Sequence, residues 1–306
     1  MADFADLSAT ALPPSVRIEE GAGGLRRVRI HGAQCVAEVF LQGAHVTAWH
    51  PASARNPVLW LSRNSVFEPG RAIRGGVPIC FPWFGPNGAD RSAPAHGFAR
   101  LREWTLVEAR EDAAGIVTLA MELEGADVSR QWPCRFRLVH RITLGTVLRM
   151  ELEVHNDGAD PFTFEEALHT YFSVGDIRRA TVTGLEGSEY LDKAGGLQRD
   201  WQGNEPVRFA GETDRIYLDT RADCVIHDPA GRRRITISKT GSASTVVWNP
   251  WIDKARAMPD FEDDEWTQML CVETCNVDAH ACSLAPGASH TMTAEIASQD
   301  LQDLAD

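Results

Sequence analysis

The 306-residue chain has little that would place it in a membrane or on a nucleic acid. It contains no run of roughly 18 apolar residues, the length that a membrane-spanning helix requires. Its 30 lysines and arginines are outnumbered by 43 aspartates and glutamates, which gives a formal net charge of -13. Because nucleic-acid backbones select basic surfaces, we do not expect a nucleic acid as a partner. The missing apolar run likewise argues against a membrane. A few converging arginines could still bind a small anion.

Paired cysteines and the common cofactor motifs are also missing. The seven cysteines are scattered and include no Cys-x-x-Cys pair, which argues against a zinc ribbon or a thioredoxin-like site. The ten histidines are dispersed, and there is no His-Glu-x-x-His, phosphate-binding loop, dinucleotide fingerprint or Gly-x-Ser-x-Gly elbow. We therefore expect no metal and no cofactor. The first 15 residues lack the pattern of a signal peptide, and the odd cysteine count suits reduced thiols, so we expect a cytoplasmic protein.

The dominant pattern in the chain is an alternation of apolar and polar residues with a period of two. It is clearest in residues 117–124, 136–144 and 147–155, and such alternation is typical of half-buried strands. Shorter runs of the same kind occupy residues 27–30, 35–41, 234–238 and 290–296. No strand–helix alternation indicates a parallel sheet, so the sequence predicts an all-β fold of antiparallel strands with at most short helical turns.

We find no internal linker or repeat, and we predict a single domain over residues 15–298. Residues 1–14 are expected to form a loose N-terminal arm, and residues 299–306 an acidic C-terminal tail. One segment, residues 69–97, interrupts the strand pattern with five prolines and several glycines. Its apolar residues argue against disorder, so we expect an ordered loop across one end of the sandwich.

Three stretches carry side chains suited to chemistry. Arginines beside glycines, as in Arg74-Gly75-Gly76 and around Arg100, suit a phosphate or a carboxylate, although a surface turn with solvated arginines is the simpler interpretation. His169 lies in a period-two run over residues 162–172 and could transfer protons or be a hydrogen-bonded core histidine. Glu273 lies in an apolar strand, where it is either a general base of raised pKa or a structural carboxylate.

These stretches, in their order along the chain, resemble the aldose 1-epimerase family, and in particular its hexose-6-phosphate mutarotase branch. The similar segments are residues 43–49, 59–62, 73–78, 81–85, 96–100, 169–172, 213–217 and 247–251. Ile-Arg-Gly-Gly at residues 73–76 and His-Gly-Phe-Ala-Arg at residues 96–100 favour the phosphosugar branch. The resemblance implies an antiparallel β-supersandwich with a sugar cleft across one sheet.

The resemblance also implies roles for individual residues. His169 matches the catalytic acid and Glu273 the catalytic base of the family, although Thr274 stands where members often have proline. The expected substrate-binding residues are Arg74 and Arg100 for the phosphate, His96 and Asp214 for sugar hydroxyls, and Trp248 and Gln268.

The implied activity is the interconversion of α and β anomers of a hexose 6-phosphate by an isomerase, with glucose 6-phosphate as the expected substrate. We separately expect the protein to be a monomer. Acid–base opening and reclosure of the sugar ring requires no cofactor. Three alternatives remain: an aldose 1-epimerase acting on unphosphorylated hexoses, a glycoside hydrolase using paired carboxylates such as Asp214 and Glu273, and a non-enzymatic phosphosugar sensor.

Overall fold

The fold is built almost entirely from antiparallel strand ladders in the computed structural model, which describes residues 12–125 and 132–301. The all-β prediction is thus confirmed. None of the helices in these ranges is long and apolar enough to cross a membrane.

The largest sheet has nine strands and contains the three runs with the clearest alternation. In its order across the sheet it comprises β16 (Val207–Arg208), β13 (Thr181–Thr183), β18 (Cys224–Asp228), β19 (Arg233–Thr240), β23 (Ser289–Asp300), β9 (Val147–Asn156), β8 (Phe136–Leu144), β7 (Val117–Gly125) and β6 (Thr105–Glu111). In β9 the apolar residues Leu148, Met150 and Leu152 are fully buried, whereas the residues between them are partly exposed. The period-two pattern therefore reflects strands that pack one face on the core and expose the other face to solvent.

A second sheet of eight strands lies against the same core. It comprises β15 (Gln198–Trp201), β14 (Glu189–Asp192), β17 (Thr213–Tyr217), β20 (Ser244–Asn249), β21 (Met269–Asn276), β11 (Glu166–Leu168) and β5 (Ile79–Cys80), with β12 (Tyr171–Ser173) also pairing with β21. Its central strands β20 and β21 are buried along their whole length. This is the sheet that positions the candidate site.

The remaining elements are small. A four-stranded sheet contains β1 (Val16–Glu20), β2 (Arg26–His31), β3 (Cys35–Phe40) and β4 (His45–Pro51), and β10 (Phe162–Phe164) pairs with β22 (Cys282–Leu284). The α-helix α1 spans Trp251–Ala257, and short 3₁₀ turns occupy Ala22–Gly24, Ala99–Leu101, Glu265–Gln268 and Asp278–His280. One continuous hydrophobic core joins all three larger sheets, with Trp49, Leu152 and Val247 as representative members.

Three sequence predictions differ in detail from the structure. Residues 162–172 do not form one strand, because they are divided among β10, β11 and β12, with a break at residues 169–170. The segment 69–97 is largely irregular, as expected, but it contributes β5 to the eight-stranded sheet. The expected acidic tail begins inside β23, which continues to Asp300; residues 1–11, 126–131 and 302–306 lie outside the described ranges.

Candidate active site

A cleft on one face of the eight-stranded sheet collects most of the predicted site residues. Glu273 on β21 lies opposite Val246 on β20, and Trp248, two residues further along β20, lies opposite Asp214 on β17. Because residues directly opposite one another, and residues two apart, share a face of a sheet, these side chains point to the same side. They line a cavity of about 300 Å³, a volume within the usual range for a small-molecule site.

His169 occupies the break between β11 and β12. Its backbone N–H donates to the carbonyl of Pro78 at 3.0 Å, which fixes this irregular position against segment 69–97. Its ring stacks on Tyr171, with the ring centroids 4.8 Å apart and the planes only 10° from parallel. The stacking leaves Nε2 facing the carboxyl of Glu273, at 3.3 Å from Oε1. A proton donor and a proton acceptor are therefore held side by side.

The Glu273 carboxyl is buried and, within the described residues, makes no hydrogen bonds that would give it a structural role. Its side chain is 1% exposed, and neither oxygen has a hydrogen-bond partner among residues 12–125 and 132–301. Burial raises the pKa of this carboxyl well above its usual range, and the nearby charge of Asp214 adds to the effect. An unpartnered buried carboxyl costs free energy, so the interpretation as a hydrogen-bonded structural carboxylate is not supported.

The same environment acts on His169 in the opposite direction. Burial lowers the pKa of this imidazole well below its usual range, and the positive charges of Arg100 and Arg74 lower it further. In the described part of the chain, Nδ1 has no hydrogen-bond partner either. Burial therefore opposes the charged form of both groups, the carboxylate of Glu273 and the imidazolium of His169.

Four cationic side chains surround this pair: Arg74, Arg100, Lys193 and Lys254. The Arg74 guanidinium is already engaged, at 3.0 Å from Asp260 and donating to the Tyr171 hydroxyl at 2.9 Å. Arg100 donates through Nη2 to the carbonyl of Ala95 at 2.8 Å, and its buried Nε has no partner within the described ranges. The local excess of positive charge contrasts with the net charge of -13 and suits a small anion.

Two glycines near the arginines, Gly76 and Gly97, are required for the packing of the chain. Gly76 has a φ of 61°, and a Cβ there would lie 2.3 Å from the carbonyl oxygen of Val46. Gly97 has a φ of 74°, and its Cβ would lie 1.9 Å from the oxygen of Phe81. These positions require glycine because the backbone is left-handed and another chain segment is in contact. They hold the arginine-bearing loops against the sheet.

The remaining predicted residues divide into those in the cleft and one outside it. His96, Asp214 and Trp248 line the cavity, and the His96 ring lies 5.5 Å from that of His169. Asp214 is a strand residue rather than a turn aspartate, and its carboxylate lies 3.8 Å from Lys193 Nζ and 3.6 Å from Lys254 Nζ. Gln268 is exposed in a 3₁₀ turn and is not among the residues lining the cavity.

Sequence reasoning missed two of the cations and part of the apolar wall. Lys193 follows β14 in the Asp-Lys-Ala-Gly-Gly turn at residues 192–196, the same basic–glycine signal that identified Arg74. Its ammonium lies 5.1 Å from the ring centroid of Phe84, another wall residue. Lys254 is on the short helix α1, where nothing in the local sequence marks it.

Comparisons with known proteins agree with this geometry. The sequence model of the aldose 1-epimerase family matches residues 26–297. An Escherichia coli K12 protein provisionally named glucose-6-phosphate 1-epimerase is 41% identical over 242 residues, which cover 79% of this chain and 80% of the relative. A Cenchrus ciliaris protein with the same provisional name is 35% identical and covers 90% of this chain and 85% of its own.

Solved structures extend the similarity to the fold. A crystal structure from Salmonella typhimurium, provisionally named a mutarotase, matches with a TM-score of 0.88 and 34% identity over 95% of each chain. A more distant Escherichia coli K12 structure has a TM-score of 0.70 at 16% identity, covering 94% of this chain and all of the other, and shows the shared fold alone. The predicted antiparallel supersandwich is thereby confirmed.

Proposed function

The chain belongs to the aldose 1-epimerase family, and we propose that it is an isomerase that interconverts the α and β anomers of a hexose 6-phosphate, glucose 6-phosphate in particular. The proposal rests above all on one observation. The His169 and Glu273 side chains face each other at 3.3 Å on the floor of a cavity that is lined by four cations. The relatives that carry the name glucose-6-phosphate 1-epimerase support the same substrate.

The chemistry follows from what the pair can exchange with a sugar. The two oxygens that must lose and gain protons, the anomeric hydroxyl and the ring oxygen, are bonded to the same carbon, so two adjacent groups can serve both. Glu273 takes the proton of the anomeric hydroxyl while His169 protonates the ring oxygen, and the C1–O5 bond breaks to give the free aldehyde. Rotation about C1–C2 exposes the other carbonyl face, and the roles reverse as the ring closes. Each group contributes about 10²–10⁴ in rate.

The substrate phosphate would prepare this pair for reaction. Catalysis in this direction requires an ionised Glu273 and a protonated His169, whereas burial opposes both of these charges. The charges of Arg100, Arg74 and Lys193 are among the causes that lower the pKa of His169. A phosphate dianion beside them offsets these charges, so the pKa of His169 rises on binding. Binding of the substrate phosphate would then also activate His169 as the acid.

His96, Asp214 and Trp248 are proposed to contact the sugar ring, since they lie on the walls of the same cavity. We propose no contact for Gln268, because it is exposed and does not line the cavity. We further propose that the protein works as a monomer in the cytoplasm. All seven cysteines are free, which suits a reducing compartment.

The experiment that tests the substrate compares anomer interconversion of glucose 6-phosphate and glucose by wild type and Arg100→Met. Losing the charged hydrogen bonds of Arg100 is expected to raise KM for the phosphorylated sugar roughly 10- to 100-fold, with a smaller change in kcat. The matched control is Arg71→Met, because Arg71 is exposed, pairs with Glu68 and does not line the cavity. Equal effects on both sugars would favour a free-hexose epimerase, and binding without turnover would favour a sensor.

A further inference from the structure

A second group of chemically active side chains lies outside the cleft. Glu166 on β11, Cys282 on β22 and His290 on β23 each present one potential ligand atom, and the three atoms all lie within 4.8 Å of one another. We propose that these residues form a binding site for a divalent transition-metal ion. One nitrogen, one sulfur and one oxygen ligand match zinc(II) best, since zinc accepts all three ligand types in tetrahedral sites.

The distances are close to those that a metal requires. His290 Nε2 lies 3.1 Å from Glu166 Oε1. Two ligands at 2.0–2.2 Å from a tetrahedral ion are separated by about 3.3–3.6 Å, so this pair needs to move by only a few tenths of an ångström. Cys282 is partly exposed, so its thiol can rotate towards the other two without opening the core. The same Nε2 also lies 2.9 Å from the carbonyl oxygen of Gly241, so a bound metal would replace the contacts that Nε2 now makes with these two oxygens.

The Glu166 carboxylate supplies an independent observation. Glu166 is fully buried, and its Oε1 accepts a hydrogen bond from Asn276 Nδ2 at 2.8 Å. Its Oε2 is also buried, yet it has no hydrogen-bond partner within residues 12–125 and 132–301. The His290–Glu166 contact involves Oε1 and leaves Oε2 unsatisfied, which disfavours the buried carboxylate as it stands. A cation chelated by both carboxylate oxygens would satisfy Oε2 as well.

The site is also accessible. Cys282, His290 and Asn276 line a cavity of about 530 Å³, which is larger than the cleft that holds His169 and Glu273. Three protein ligands leave one tetrahedral position open, and that position can face the cavity. Lys239 and Arg221 also line this cavity, and their positive charges favour an anion such as hydroxide or chloride as the fourth ligand.

The position of the site predicts its effect. Glu166 belongs to the eight-stranded sheet, His290 to the nine-stranded sheet and Cys282 to the small β10–β22 pair. An ion held by all three would join these sheets and stabilise the folded state, because it binds the folded chain in preference to the unfolded one. Glu273 precedes Asn276 by three residues on β21, so the site lies on the opposite face of that strand from the proposed catalytic pair.

The test is a titration of chelator-treated full-length protein with cobalt(II), followed by zinc(II) competition. Cobalt reports thiolate ligation by a charge-transfer absorption band, and zinc should abolish the band at one equivalent. Cys282→Ser is expected to lose the band and to weaken zinc binding about 100-fold, since even the loss of an outer-shell partner costs 10- to 100-fold. Cys134→Ser is the matched control, because Cys134 is the other partly exposed cysteine and belongs to neither metal-type cluster.

Thermal unfolding provides a second measurement. Zinc should raise the melting temperature of wild type and Cys134→Ser but leave that of Cys282→Ser unchanged. The absence of a cobalt–thiolate band in the wild type would overturn the proposal. So would a band that survives in Cys282→Ser but disappears in Cys271→Ser, because the ion would then occupy the buried His169–Cys271–Glu273 cluster of the cleft. Circular dichroism of each metal-free variant verifies that it is folded.

Discussion

Replacing Glu273 by glutamine removes the proposed base while changing almost nothing else in the structure. The two side chains have nearly the same shape, and neither Glu273 oxygen has a hydrogen-bond partner to lose in the described part of the chain. We therefore expect Glu273→Gln to fold, to bind glucose 6-phosphate with a similar KM and to lose about 10²–10⁴ in kcat. That loss corresponds to about 2.7–5.4 kcal/mol of transition-state stabilisation, at 1.36 kcal/mol per factor of ten.

The pH dependence of the stability of the same variant gives a second readout, which a hydrogen-bonded structural carboxylate would not produce. The folded state raises the pKa of Glu273, so it favours the neutral acid and opposes ionisation. The wild type therefore loses stability as the pH rises above the ordinary pKa of 4.5 for a glutamate, whereas the glutamine variant does not. Relative to wild type, Glu273→Gln should therefore gain stability as the pH rises above 4.5, and the two proteins are compared at about pH 4 and about pH 8.

Two assays test these expectations. Anomer interconversion is followed after dissolving pure α anomer, with the spontaneous rate subtracted, and urea unfolding is measured at both pH values. His169 lies 3.3 Å from Glu273 and titrates together with it, so the double variant His169→Gln/Glu273→Gln is compared with His169→Gln to isolate the effect of the carboxyl. A kcat close to that of the wild type would refute the assignment of Glu273 as the base. A stability difference that is independent of pH would refute the argument that the buried carboxyl has a raised pKa.

Two further predictions concern the phosphate. Lys193→Met should raise KM for glucose 6-phosphate roughly 10- to 100-fold without changing KM for glucose, because the Lys193 ammonium is one of the cations lining the cavity. Equal changes in KM for both sugars in steady-state kinetics would contradict a role of Lys193 in phosphate binding. Inorganic phosphate should stimulate turnover of free glucose saturably in wild type but not in Arg100→Met, because the anion raises the pKa of His169; stimulation that stays linear and equal in both proteins would show only solution catalysis.

Much of the fold was predictable because each long strand carries its own signal. In β9 the alternation of Leu148, Met150 and Leu152 with charged residues is local and does not depend on the rest of the chain. The division of residues 162–172 was not predictable in this way. The break at His169 depends on the carbonyl of Pro78, about 90 residues earlier in the sequence, to which the His169 N–H donates.

The site shows the same division between local and long-range information. Arg74 and Arg100 were identified from neighbouring glycines, although the glycines turned out to be needed for packing against Val46 and Phe81. The opposite pKa shifts of His169 and Glu273 could not be predicted, because they depend on burial and on charges brought in from several strands. Glu166, Cys282 and His290 likewise come together only through strand pairing, which is why the dispersed histidines did not indicate a metal site.

The central claim is most directly tested by two-dimensional exchange NMR on equilibrated glucose 6-phosphate and glucose, recorded in parallel with wild-type protein. We predict strong exchange cross-peaks between the α and β anomeric signals of glucose 6-phosphate, much weaker enzyme-dependent exchange for glucose, and loss of the cross-peaks in His169→Gln. Exchange no faster than the spontaneous rate for both sugars, with folded wild-type protein, would contradict the assignment of this chain as a hexose-6-phosphate mutarotase.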